Sequence, residues 1–269
     1  MTFLYQIPAV VLLATVLVLA VCGSMVGQVC VHRWFRRKDL NNHTEVGGII
    51  ITVAGSLYAV LLGFMTVAAW QYYQDARDIA VVESNADIDV WHTAVGLPGA
   101  VRERVRADMV RYAQIMIGRE WPLMREGKYD PEAAIVGMDA IDATGTFLPA
   151  NEGEADAQRA TMDQLTIIHD ARQRRITVNS NGVSWFEWLI LLIGALCIVS
   201  FCWLFGLKNV RVQRVMMSSV VVIITATLVL LFELQYPFRS DVGLDPGAWE
   251  RALAHIQQMQ SGEIEHMRM

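Results

Sequence analysis

Hydrophobic and polar positions divide this chain into blocks of two kinds. Met1–Val31, Val46–Gln74, Trp188–Leu207 and Val215–Phe232 carry no charged side chain, whereas the intervening stretches are charge-rich. A bilayer core of about 30 Å is crossed by about 20 apolar residues as helix, since lipid leaves no partner for unpaired backbone groups. The pattern therefore predicts four transmembrane helices, at about 7–31, 48–70, 188–207 and 215–234. Trp185 and Trp188 flank the third and Tyr236 follows the fourth, as interfacial anchors do.

Between the second and third spans the apolar residues recur at helical rather than alternating spacing. Tyr72, Ala76, Ala80 and Ser84 extend the second helix beyond its apolar run, until Gly96-Leu97-Pro98 stops it. A helix is expected over Ala100–Arg119, with Val101, Val105, Met109, Tyr112 and Met116 along one stripe. Asp130 and Pro131 read as an N-cap and first helical residue of a helix ending near Thr144. Another covers Glu152–Val178, with Met162, Leu165, Ile168 and Arg172 on one face. After the fourth span, Asp245-Pro246 opens a short amphipathic tail helix whose apolar face is Trp249, Leu253 and Ile256.

The expected fold is all-α and polytopic. Its parts are a first transmembrane hairpin (1–74), a helical water-facing region (75–184), a second hairpin (185–236) and a tail (237–269). The water-facing stripes hold few large aromatics, so that region is expected to be too thin for a core of its own and to pack as a bundle, including between subunits.

Charge and composition narrow the function. A formal net charge of −5 leaves no basic face for nucleic acid. Cys22, Cys30, Cys197 and Cys202 lie inside apolar segments, without CxxC spacing, and read as small buried residues. The six histidines form no HxxH or HExxH pattern, and no Walker, GxSxG or Rossmann glycine motif occurs. Neither enzyme activity, metal nor cofactor is expected. Arg33, Arg36, Arg37 and Lys38 in one short loop, and Lys208, Arg211 and Arg214 in the other, place both short loops in the cytoplasm by the positive-inside rule. The expected setting is a bacterial inner membrane.

The second span carries the sharpest feature. Gly48, Thr52, Gly55, Ala59, Gly63 and Thr66 share one helix face, with Ser56 beside them. Small residues at this spacing suit close helix packing, and equally a narrow, slightly polar pore wall. Ionisable residues touch the spans only at their ends, as Glu187 and Glu233, which disfavours proton-coupled transport and leaves passive conduction open.

The stretch Leu57-Tyr58-Ala59-Val60-Leu61-Leu62-Gly63-Phe64, continuing to Trp70, Tyr73 and Asp75-Ala76-Arg77, resembles the signature of the bacterial bestrophin-like domain family. Ile168-His169-Asp170-Ala171-Arg172-Gln173-Arg174-Arg175 is similar to its second block, and Pro237-Phe238-Arg239-Ser240-Asp241-Val242 to its third. Bestrophins are pentameric four-span channels whose second helix lines the pore. The resemblance implies a homo-oligomeric channel for small inorganic ions, anions by the family's name. Thr52, Gly55, Ser56, Ala59, Gly63 and Thr66 would line the pore or pack helices, and Arg77 and Arg172 would be charge contacts at its mouth. The alternative is a non-conducting membrane scaffold or sensor whose helical region binds a protein partner. Bestrophins keep the long region in the cytosol, opposite to the placement from loop charge.

Overall fold

The computed structural model describes Tyr5, residues 7–34, 44–204 and 209–261. Among these residues regular structure is helical throughout, and four helices are long and apolar enough to cross a membrane. In chain order the helices are α1 (Ala9–Trp34), α2 (Thr44–Thr93), α3 (Gly99–Ile115), α4 (Trp121–Arg125), α5 (Pro131–Thr146), α6 (Glu152–Ser180), α7 (Trp185–Trp203), α8 (Val210–Leu234) and α9 (Gly247–Ser261). The basic residues Arg36, Arg37, Lys38 and Lys208 lie outside the described residues. Two compact units result, Phe3–Tyr72 with Gly182–Gln235, and Tyr73–Asn181 with Tyr236–Met269.

Caps fix the span limits more sharply than hydropathy does. The third span was expected from Trp188, but α7 starts at Trp185 because Ser184 and Glu187 form a reciprocal capping box. Glu187 is thereby a helix cap. The fourth was expected from Val215, but Asn209 accepts from the Arg211 amide at 3.0 Å and starts α8 a turn earlier.

In the membrane unit α1 packs along α8, and α7 touches both. Trp203 lies so close over Gly27 that a Cβ there would come within 2.4 Å of its ring. The same indole donates to Ser24 Oγ at 3.2 Å, satisfying its N–H in an apolar setting. Elsewhere in the unit Tyr5 stacks on Phe232 with centroids 4.5 Å apart and donates to its carbonyl at 2.8 Å. Gln235 links this pair to α7, donating to Tyr5 Oη at 2.9 Å and accepting from Trp188 Nε1 at 3.1 Å.

The apolar part of α2 meets α7 through Tyr58. Its ring fills the space a side chain at Gly194 would need, since a Cβ there would sit 2.5 Å from it. Its hydroxyl donates to the Leu191 carbonyl at 3.1 Å. Tyr58, Leu62 and Ala69 are the buried positions of this stretch.

The second unit has a core of its own, which corrects the expectation of a region too thin to form one. Tyr112, Trp121, Phe238 and Trp249 are all fully buried in it. Two of the four come from beyond the fourth span, so the region recruits its missing aromatics from the tail. Trp249 on α9 meets Tyr112 edge-on at 5.5 Å, Phe238 meets Trp121 at 5.5 Å, and Trp121 Nε1 donates to the Leu244 carbonyl at 3.0 Å. Helix α9 thus docks on α3. The helix expected over Ala100–Arg119 ends earlier, at Ile115, and passes through a π-turn at Met116–Glu120 into α4. Pro122 is the physical reason: it has no N–H to donate and its ring crowds the carbonyl four residues back, which a widened turn relieves.

Two substitutions test this packing. Gly194→Leu forces a side chain into the Tyr58 ring and is expected to cost about 1–3 kcal/mol, an overpacking penalty. Trp249→Ala is expected to cost about 3–5 kcal/mol. Thermal unfolding of the purified protein reads both, and an unchanged midpoint for either would refute the contact concerned.

Candidate functional site

Two features carry chemistry, one in each unit. The first is the small-residue face of α2. No atom outside the local helix lies within 4 Å of where a Cβ would stand on Gly48, Gly55 or Gly63. Thr52, Ser56, Ala59 and Gly63 are exposed, and Gly55 and Thr66 half-buried. The hydroxyls turn inward to their own helix: Thr52 donates to Gly48 at 2.8 Å, Ser56 to Thr52 at 2.7 Å and Thr66 to Leu62 at 2.8 Å. Such bonds satisfy the hydroxyl protons without a partner helix and leave lone pairs outward. Within one chain the contact with α7 is made by Tyr58 on a neighbouring face.

The second feature is a buried ionic cluster in the other unit. Glu83 of α2, Glu120 of the π-turn and Arg175 of α6 have no exposed surface, and Arg172 only 5%. Arg175 grips Glu83 with two nitrogens, Nε to Oε2 at 2.6 Å and Nη2 to Oε1 at 3.2 Å. The same Nη2 reaches Glu120 Oε1 at 2.8 Å. Arg172 Nη2 donates to Glu120 Oε2 at 2.9 Å and to the Asp130 carbonyl at 2.9 Å. Tyr112 completes the shell by donating to Glu83 Oε1 at 2.7 Å. Asp130 belongs to the rim, capping α5 through the Glu132 amide at 2.9 Å and pairing with Arg119 at 2.9 Å.

Electrostatics follow from this geometry. Burial alone would depress the Arg175 guanidinium, but Glu83 and Glu120 outweigh it and hold its pKa above the ordinary value. Burial, and then the Glu83 charge, push the Tyr112 phenol well above its usual range, so it stays a donor. One turn beyond Glu83, Asp87 is fully buried and neither carboxyl oxygen has a partner among the described residues. Burial first, and Glu83 second, raise its pKa well above the usual aspartate range. The cluster is thus two arginines against two glutamates, beside a buried carboxyl group whose proton is held more tightly than usual.

The sequence-predicted residues separate between these features. Thr52, Gly55, Ser56, Ala59, Gly63 and Thr66 share the α2 face, and Arg77 is exposed further along the same helix. Arg172 lies inside the ionic cluster, where it pairs with Glu120. Glu83, Asp87, Glu120 and Arg175 went unread in the sequence, although the signal was present. Ala76, Ala80, Glu83 and Asp87 continue one buried stride, and Leu165, Ile168, Arg172, Arg175 and Asn179 continue another. Charges standing where a stripe calls for apolar residues mark a buried network.

With these features in place, the family model for the Bestrophin-like domain matches residues 18–248. The chain belongs to the Bestrophin-like domain family. Among curated proteins none matches. Among solved structures, a point variant of a bacterial bestrophin homologue from Klebsiella pneumoniae is similar, at 16% identity and TM-score 0.68, covering 91% of this chain and 98% of that one. A zinc-phased structure of a bacterial bestrophin homologue from the same organism gives 16% identity and TM-score 0.66, over 90% and 97% of the two chains. A crystal structure described as a membrane protein variant gives 14% and 0.67, over 90% and 97%. At these identities the likeness establishes the fold.

Two outcomes test the cluster. Arg175→Met leaves buried Glu83 without a cationic partner and Glu120 with Arg172 alone, and is expected to cost about 3–5 kcal/mol, read by thermal or denaturant unfolding. Asp87 binds its proton more tightly folded than unfolded. Its contribution is therefore complete below the unfolded value of about 3.9 and is lost as pH rises through the raised folded value. Asp87→Asn is expected to unfold at a higher temperature than the native protein at alkaline pH, with the gap shrinking on acidification. A gap independent of pH would contradict this assignment.

Proposed function

We propose that the protein is a homo-oligomeric channel of the bacterial inner membrane that passively conducts small inorganic ions, anions by preference, with α2 lining the pore. The observation that carries the proposal is the open face of α2: Gly55 and Gly63 meet no neighbour where a side chain would go. A stripe of small residues exposed in a lone chain finds its use against a second copy or around a water path. Membership of the Bestrophin-like domain family supports the reading, and bacterial bestrophin homologues share the fold. The absence of charged side chains from Val46 to Gln74 suits passage without proton coupling.

In this reading Thr52, Ser56 and Thr66 present hydroxyl oxygens to the water path, and Gly55, Ala59 and Gly63 set its width. Arg77, exposed on α2, serves as the charge contact at the mouth. Arg172, held in the buried cluster, fixes α6 and does not line the water path. Both short loops face the cytoplasm.

Flux of chloride against potassium through liposomes containing the purified protein tests this, beside a Gly63→Trp variant. The expected result is flux, larger for chloride, that the tryptophan reduces at least tenfold while the oligomer persists. Absence of flux from the native protein across pH and calcium would overturn the proposal in favour of the non-conducting scaffold.

A further inference from the structure

A cavity of about 40 Å³ lies between α5 and α6 in the second unit. Gly137 and Met138 of α5, His169, Arg172 and Gln173 of α6, and the Tyr112 ring of α3 are among the residues that form it. Arg172 contributes a guanidinium whose hydrogen bonds are incompletely met. Its Nη2 is committed to Glu120 and the Asp130 carbonyl, but its Nε is buried with no hydrogen-bond partner among the described residues. Glu120 divides its two oxygens between Arg172 and Arg175, so neither arginine has that carboxylate to itself.

The chemistry of the lining selects the occupant. A guanidinium has donors and no acceptor, and Gln173 and exposed His169 add N–H groups. No carboxylate lines the cavity. The buried guanidinium therefore favours an acceptor over a cation. The space, about 40 Å³, is enough for a small species beside Arg172.

We infer that this cavity is a binding site for one small monovalent anion of chloride to nitrate size, held by Arg172 with Gln173 and His169. The anion satisfies the guanidinium edge that Glu120 leaves open and ties α5 to α6 beside the buried cluster. The site stands apart from the proposed conduction, because it lies wholly within the second unit and is read by binding rather than flux.

The test uses the full chain in detergent. Thermal unfolding is followed as chloride replaces gluconate at constant ionic strength, and crystals grown in bromide are examined for anomalous scattering. A chloride concentration about five times Kd is expected to raise the native midpoint by about 2–4 °C. Gly137→Val should abolish that rise, since its added carbons fill the cavity while the nearest atom to a Cβ there, on Tyr112, is 3.9 Å away. That variant also removes a helix-interior glycine, which favours folding. Arg172→Lys should weaken the response while keeping a positive charge. An equal chloride response in the native protein and Gly137→Val, or bromide density absent from the cavity, would overturn the inference. A water in the site gives the same midpoint in chloride and gluconate and overturns it too.

Discussion

The second unit is organised around the burial of two arginines with two glutamates. Charges cost several kcal/mol each to bring out of water, so they persist inside only when every partner is in place. Glu83 comes from α2, Glu120 from the π-turn and both arginines from α6, so three segments must arrive together before every charge is compensated. The hydrophobic core around them is built largely from Ala with Val, Leu, Ile, Met and a few aromatics, and apolar cores of this kind tolerate repacking. The cluster supplies the geometric demand that the apolar residues lack.

This constraint reaches the rest of the unit through the packing. Tyr112 touches Glu83 with its hydroxyl and Trp249 with its ring, so the docked tail helix adjoins the charged centre. Trp121 lies with its ring 5.9 Å from the Arg175 guanidinium and donates to the chain after Phe238. The second unit is therefore discontinuous in sequence but continuous in contact, and α2 is the helix it shares with the membrane unit.

Much of this was legible in the residues. Span number and helical class followed from runs too long and too apolar for any other solvent, and the α5 cap was readable from Asp130-Pro131. Span starts were not, because Ser184 and Asn209 act through single side-chain bonds that hydropathy averages away. The core was misjudged because Phe238 and Trp249 belong to it in space while lying beyond a transmembrane hairpin in sequence. Glu83 and Arg175, separated by ninety-two positions, could be recognised as exceptions within their stripes but not as each other's partners. The face of α2 was legible as a stripe, but only coordinates reveal that its glycines meet nothing in their own chain.

The open face of α2 is proposed to adjoin a water path. Its most direct test is single cysteines placed along α2 in a background with the four native cysteines replaced, reacted with a membrane-impermeant thiol reagent in intact oligomers. Reaction is expected at Thr52, Ala59, Gly63 and Thr66, with protection at the buried Leu62 and at Leu57 and Phe64 on another face. Uniform protection along the helix, or reaction at Leu57 and Phe64 instead, would contradict it.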